Sequence, residues 1–342
     1  MRQQVIFWSV MLFLLAAFVL MGAKHGAVEN SWGDTVRAFL MTGDDEDLEY
    51  FLWHLRMPKI VAALAVGGAL AVSGVILQNI LNNPLASSFT LGLSQGASFG
   101  ATFSIIMLGA GFSGGGFMLG NLGVVAFGAF LGALLSAVII LLFSFVRGMT
   151  PQGLILVGVA MSAFFSACTM LMQYFSTDSE LAAAVFWTFG DLSKGAWSEA
   201  VTVFIVLLVG LAFAVRYSWD YNALQWGDMH AVGLGVDAKR IRVYSLIMTS
   251  FMAAFATAYY GIIGFVGLIA PHMVRMTFRH VNHGFLIPAS AVLGGVFLLG
   301  ADTLAQMLFF PLSLPVGVIT AFAGVPMFLF ILMKRSLQHG KS

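Results

Sequence analysis

Residues 56–96 read RMPKIVAALAVGGALAVSGVILQNILNNPLASSFTLGLSQG, two apolar runs strewn with glycine, alanine and serine and broken at Asn82-Asn83-Pro84. Proline lacks a backbone donor and pushes the residue before it out of the α region, so Pro84 marks a sharp turn between two helices. Gly67, Gly68, Ala71, Ser73 and Gly74 carry so little side chain that neighbouring helices can approach closely, the packing that a bilayer favours. A chain built around this stretch must surround it with other helices.

Composition says in which solvent. Of 342 residues, 60% are hydrophobic and 9% charged, against about 25% charged in a soluble domain. The expectation is an all-α polytopic protein of the lipid bilayer, with about ten transmembrane helices at roughly 20 residues each. The runs are continuously apolar rather than alternating, which disfavours a membrane β-barrel. The expected spans are residues 5–23, 58–81, 91–110, 124–146, 152–174, 200–215, 243–263, 267–278, 285–308 and 314–333. The first is read as a retained helix, because it is long enough to span and no small-x-small cleavage site follows it. No hydrophilic second unit or low-complexity linker interrupts the runs, so residues 1–342 are expected to form a single transmembrane domain. A net charge of +1 suggests no nucleic-acid partner. Cys168, alone of its kind, is expected to be a small buried hydrophobe.

Short cytoplasmic loops accumulate lysine and arginine. With ten spans and both termini in the cytoplasm, the inner side receives Arg2, Arg147, Arg216, Lys239, Arg240, Arg242, Arg275, Arg279, Lys334, Arg335 and Lys341. The outer side receives Lys24, Arg37, Arg56, Lys59 and Lys194. This arrangement puts Arg56 and Lys59 outside, with Asp302 and Gln306 near the outer end of the ninth span. The Asn82–Pro84 turn and the basic stretch 216–242 then face the cytoplasm.

Catalytic chemistry finds no foothold. The sequence holds no His-Glu-x-x-His zinc helix, no Gly-x-Ser-x-Gly elbow and no Gly-x-x-x-x-Gly-Lys-Ser/Thr phosphate loop. No enzyme activity, cofactor or metal site is therefore expected. His280 and His283 lie at helical spacing beside a turn, but two ligands do not make a zinc site. The nineteen methionines are spread over nearly all spans, as packing residues are. Intramembrane charge, the usual mark of ion coupling, is nearly absent. Asp302 is the nearest candidate and is expected to act as a helix-end cap or interfacial group. The stretch LQWGDMHAVGLGVDAKRIR reads as a short amphipathic helix that either lies on the membrane surface or fits a groove on a partner.

Several motifs occur in a fixed order. They are Arg56-Met57-Pro58-Lys59, Gly68-Ala69-Leu70-Ala71-Val72-Ser73-Gly74, Gln78, Asn83-Pro84-Leu85-Ala86, Leu91-Gly92 and Gly96-Ala97. Then come Gly267-Leu268, Pro271-His272, Arg275, Leu286-Ile287-Pro288, Gly300-Ala301-Asp302, Leu314-Pro315-Val316-Gly317, Gly324 and Pro326. Each is weak alone; together, over about 280 residues, they resemble the FecCD/BtuC-type permeases. Those are the membrane subunits of type II ATP-binding-cassette importers for iron–siderophores, haem and cobalamin.

The resemblance implies a BtuC-like permease fold in the bacterial cytoplasmic (inner) membrane, without an ATP site of its own. It implies a second permease subunit, identical or paralogous, two ABC ATPase subunits inside and an extracytoplasmic substrate-binding protein outside. It implies import of an iron(III)–siderophore or haem by alternating access. Cobalamin, or molybdate and tungstate, are the alternatives within the class, and a passive channel lies outside it. Residues 217–240 would be the ATPase coupling segment, with Trp226, Gly227, Asp228, Ala231, Leu234, Gly235 and Val236 at its heart, which favours partner docking over the membrane surface. Met149-Thr150-Pro151 would lie in the cytoplasmic gate. Arg56, Lys59 and Gln306 would occupy the positions that dock the binding protein. Lysine loses the bidentate geometry of arginine and glutamine loses the charge, so a weaker or rearranged docking is expected. Asn82 stands where arginine is frequent, and Asn282-His283-Gly284 where Asp-His-Arg is usual; both differences would tune contact with the ATPase.

Overall fold

A computed structural model describes residues 2–24, 31–42, 45–110, 122–278, 281–308 and 313–339, without side chains at residues 122 and 330–339. Residues His25, Asp44, Arg279, His280 and Lys341, and most of the glycine-rich 109–123 segment, lie outside this description.

The described residues form α1 (Arg2–Lys24), α2 (Trp32–Phe39), α3 (Glu46–Phe51), α4 (Met57–Ile80), α5 (Leu93–Ile106), α6 (Leu122–Ser144), α7 (Pro151–Tyr174) and α8 (Asp178–Thr188). Then follow α9 (Trp197–Arg216), α10 (Ser218–Leu224), α11 (Asp228–Gly233), α12 (Ala238–Tyr260), α13 (Val266–Thr277), α14 (His283–Leu308) and α15 (Val316–His339). Helices α1, α4, α5, α6, α7, α9, α12, α13, α14 and α15 fall on the ten expected spans. Seven described helices are long and apolar enough to cross a membrane by length and composition; α5 and α13, at 14 and 12 residues, are shorter. Pro271 lies inside α13, whose first turn follows Phe265 in a left-handed conformation at φ 67°.

Helix α4 is the axis. In the run from Glu46 to Ile80, 89% of the apolar window is buried, against 22% for α7 at the periphery. Helix α4 packs on α14, α9, α12 and α13. Its glycines allow this: a Cβ on Gly67 would overlap the carbonyl of Gly294, and one on Gly74 the carbonyl of Gly267. A second crossing joins α5 to α6, where Gly96 and Gly100 meet Gly128 and Gly132. In lipid there is little hydrophobic force between helices, so close backbone approach and its dispersion contacts must hold them. Cys168, expected to be buried, is only half-buried on α7.

The turn at Asn82-Asn83-Pro84 is a hydrogen-bonded stop. Asn82 is left-handed at φ 45°. Its N–H bonds the Asn79 carbonyl and that of Asn83 bonds the Gln78 carbonyl, both at 3.0 Å. This is the pattern that satisfies the last carbonyls of a helix, with proline following as usual. The Asn83 side chain then accepts from the Leu85 N–H at 2.8 Å.

Gly74→Ala should therefore destabilise the purified protein by about 1–3 kcal/mol through overpacking. Gly264→Ala, where nothing lies within 4 Å of the added carbon, should leave it unchanged. Equal melting temperatures in detergent would overturn the close-crossing account.

Candidate functional site

Polar side chains gather at the two ends of α4, about 36 Å apart at 1.5 Å per residue. At the Lys59 end, α3 runs through a π-helical turn, Leu52–Arg56, into α4. A cavity of about 460 Å³ opens beside it, lined by Arg56, Lys59, Lys194, Asp302 and Gln306 among others. Arg56 is only 6% exposed. Its Nη1 donates to the carbonyls of Ala23 and Lys24, the negative end of α1. Its Nε and Nη2 find no partner among the described residues. Lys59 Nζ sits 3.0 Å from Asp302 Oδ1, and Gln306 Nε2 donates to Asp302 Oδ2 at 2.7 Å.

The structure thus brings Arg56, Lys59 and Gln306 to one recess, but as engaged groups rather than free outward charges. Asp302 is not a helix-end cap: it lies buried within α14 as the acceptor for both Lys59 and Gln306. Sequence reasoning missed Lys194, whose Nζ donates to the carbonyls of Trp187 at 2.9 Å and Phe189 at 2.7 Å. It ties down the end of α8, which begins on a Thr177–Glu180 capping box. Burial pushes the Lys194 pKa down to about 8, against an opposing pull from Asp191.

At the Asn82 end, Arg242 of α12 makes the decisive contacts. Its Nε donates to the Ile80 carbonyl at 2.9 Å, the end of α4. Its Nη atoms grip both oxygens of Asp228, the first residue of α11, at 2.9 and 3.2 Å. Helix α11 sits between two left-handed glycines, Gly227 at φ 100° and Gly235 at φ 82°. Ala231 is fully buried and anchors it, and its carbonyl accepts from the Val236 N–H at 2.9 Å. The outer surface is apolar: Trp226 is 71% and Met229 92% exposed, with Val232 and Leu234 beside them. Met229 and Val232 were not among the coupling residues the resemblance implied, although both fall on the exposed face of the same short helix.

Met149, Thr150 and Pro151 lie at this same end, since Lys239 of α12 stands 5.5 Å over the Phe145 ring. Thr150 is the N-cap of α7, accepting from the Gly153 N–H at 3.1 Å, and Pro151 is its first residue.

A larger cavity, about 770 Å³, lies between the Asn82–Pro84 turn and the ends of α4, α10, α13 and α14, and reaches Trp226 just ahead of α11. On its wall Gln78 donates to the Gly267 carbonyl at 3.1 Å and accepts from Arg275. His283 has both ring nitrogens in use, Nδ1 facing Asn222 Oδ1 at 2.8 Å and Nε2 facing Asn79 Nδ2 at 3.2 Å. A carboxamide oxygen on one side and a carboxamide nitrogen on the other fix a neutral ring with its proton on Nδ1. This histidine is a structural node.

Comparison with known proteins decides the family. The FecCD transport family pattern matches residues 13–334. The chain belongs to that family. A Methanocaldococcus jannaschii protein provisionally named as an ABC transporter permease is 44% identical over 97% of this chain and 95% of its own. The hemin transport system permease of Yersinia pestis is 32% identical over 96% of each. Further relatives carry names for cobalamin and iron(3+)-hydroxamate import. A solved inward-facing transporter, provisionally assigned to the metal-chelate type, matches with a TM-score of 0.83 and 30% identity, covering 97% of this chain and 99% of that one. This FecCD chain is a polytopic membrane protein with the permease fold of ABC importers.

Two outcomes follow at the Lys59 end. Lys59→Met should cost about 3–5 kcal/mol, because it strands Asp302 buried without its cation, whereas Lys59→Met with Asp302→Leu should be nearly neutral. Thermal unfolding of the two variants checks this, and equal losses would refute the pair. Lys194 has a folded pKa below its ordinary 10.5, so between pH 8 and 10.5 the unfolded chain binds more protons. Its contribution to stability should accordingly rise with pH across that window. The difference in stability between wild type and Lys194→Met, followed against pH, reads it directly; a flat or falling difference contradicts the burial.

Proposed function

We propose that this FecCD permease passes a bulky metal chelate, an iron(III)–siderophore or haem, across the bacterial cytoplasmic membrane. A separate ATPase drives the transport and an external binding protein delivers the cargo. Cobalamin, molybdate and tungstate are alternative cargoes of the same machine. The Asn82 end faces the cytoplasm together with both termini, in keeping with Arg216, Lys239, Arg240, Arg242 and Arg275 in the segments at that end. The chain acts as a single transmembrane domain, pairing with a second permease and two ATPase subunits. Met149-Thr150-Pro151 borders the gate between them.

The observation that carries the reading is α11. A six-residue helix cannot span, yet it and its flanks present Trp226, Met229, Val232 and Leu234 outward while Ala231 and the Asp228–Arg242 pair bind it to the bundle. Exposed apolar side chains on a rigidly held helix suit insertion into a groove on a partner. Arg242 would then carry the ATPase's movement to α4, because one guanidinium holds both α11 and the last turn of α4. Closure of the ATPase biases two packings of the bundle. At the other end, a carboxylate arriving from the binding protein would compete with Asp302 for Lys59, Arg56 being buried beneath it. That arrangement gives a docking weaker than free arginines would provide.

The reading is tested by uptake. A deletion strain carrying this chain should recover uptake of labelled ferric siderophore or haem, and lose it when the ATPase's phosphate-loop lysine is replaced. Uptake that survives that replacement would indicate a passive channel. Arg242→Ala should leave the assembled ATPase hydrolysing ATP while lowering uptake at least tenfold, with Arg242→Lys intermediate; unchanged uptake would remove Arg242 from the coupling path.

A further inference from the structure

We infer that the cavity between the Asn82–Pro84 turn and Arg275 receives an acidic side chain of the ATPase subunit, with Arg275 as its counter-charge; this rests on the coupling role proposed for α11. The cavity holds about 770 Å³ and is lined by Arg275 and seven carboxamides, including Asn83, Asn222, Gln225 and Asn282, with no carboxylate among its described lining residues. Arg275 is half-buried in the last turn of α13 and donates to the neutral Gln78. His283 adds no charge, its ring being fixed neutral between Asn79 and Asn222. A guanidinium at a partly buried site attracts a carboxylate far more strongly than one in water, and its planar fork suits bidentate pairing. Carboxamides around it can donate to the same carboxylate or accept from its neighbours without repelling it.

The occupant is a protein side chain because the cavity reaches the segment that leads into the proposed docking helix. Trp226 lines the cavity and is also the first exposed apolar residue of the α11 segment. A partner that covers Trp226 and Met229 also covers the opening, so an acidic side chain on that partner needs no extra reach.

The test uses the complete chain in phosphatidylcholine nanodiscs with its ATPase. Arg275→Gln should weaken ATPase binding at least about thirtyfold, as expected when one partner of an interfacial charge pair is removed. Arg275→Lys should restore most of it. In a second measurement Asn282→Cys, on a Cys168→Ser background, is labelled with anionic and cationic methanethiosulfonates. The anionic reagent should react faster, Arg275→Gln should abolish the preference, and bound ATPase should protect the thiol. Wild-type binding by Arg275→Gln, no protection by the ATPase, or equal rates for the two reagents would each overturn the inference. Protection by phosphatidylglycerol without ATPase would assign the cavity to a lipid headgroup and overturn it as well. Met229→Asp separates the two readings. If it abolishes ATPase binding while Arg275→Gln does not, only the cavity assignment fails; if Met229→Asp binds normally, the coupling role of α11 fails.

Discussion

Backbone contact between α4 and its neighbours is the constraint on which the rest of the structure depends. At Gly67 and Gly74 the helix lies so near α14 and α13 that a methyl group would overlap a carbonyl. Bilayer helices gain little from excluding each other's apolar side chains, so contact at this range is a large part of what fixes their geometry. Once α4 is fixed, its two ends are fixed relative to each other. Lys59 and Ile80 then sit in a rigid frame, and groups bound to either end inherit that frame.

The polar contacts respect this division. Within the bundle, Lys59 closes on Asp302, the Asn79 amide nitrogen on the Tyr221 carbonyl at 2.9 Å, and the Tyr221 hydroxyl on Ser245 at 2.8 Å, while Asn79 Oδ1 and the hydroxyls of Thr102, Ser136, Tyr260 and Ser290 have no partner among the described residues. Such closure is what a low-dielectric interior demands, since an unpaired buried group costs the whole of its lost hydration. At the ends, groups are left partly open. Among the described residues, Arg56 has two unpartnered nitrogens at one end, and Arg275 has a neutral amide as its hydrogen-bond partner at the other. Of these two, Arg275 lines a cavity that another protein can reach, whereas the unpartnered Arg56 nitrogens are themselves buried.

The sequence made the helices legible because membrane spans announce themselves locally. Each of the ten expected runs contains a helix, and their ends follow from Pro84, Pro151 and the glycines beside α11. The resemblance likewise selected Arg56, Lys59 and Gln306, which share one cavity. What the sequence concealed was pairing at long separation. Asp302 lies 243 residues from Lys59, and Arg242 reaches an acid 14 residues back and a carbonyl 162 residues back. No periodicity encodes such contacts. The lone acid in an apolar run was a hint that Asp302 needs a cation, but reading it as a cap assumed a nearer helix end than α14 provides.

In the coupling we propose, Arg242 would link α11 to α4 directly, with no long chain of moving parts between them. A lysine at that position could hold Asp228 or the Ile80 carbonyl as a point charge, but one ammonium does not match the geometry of both. The guanidinium fork spans them with Nη toward the carboxylate and Nε toward the helix end. Displacing α11 must therefore either drag the last turn of α4 or break a charge-assisted bidentate pair. Because α4 is held to α13 and α14 by contacts that cannot compress, such a displacement would be passed on as a shift between packed helices rather than absorbed as local strain.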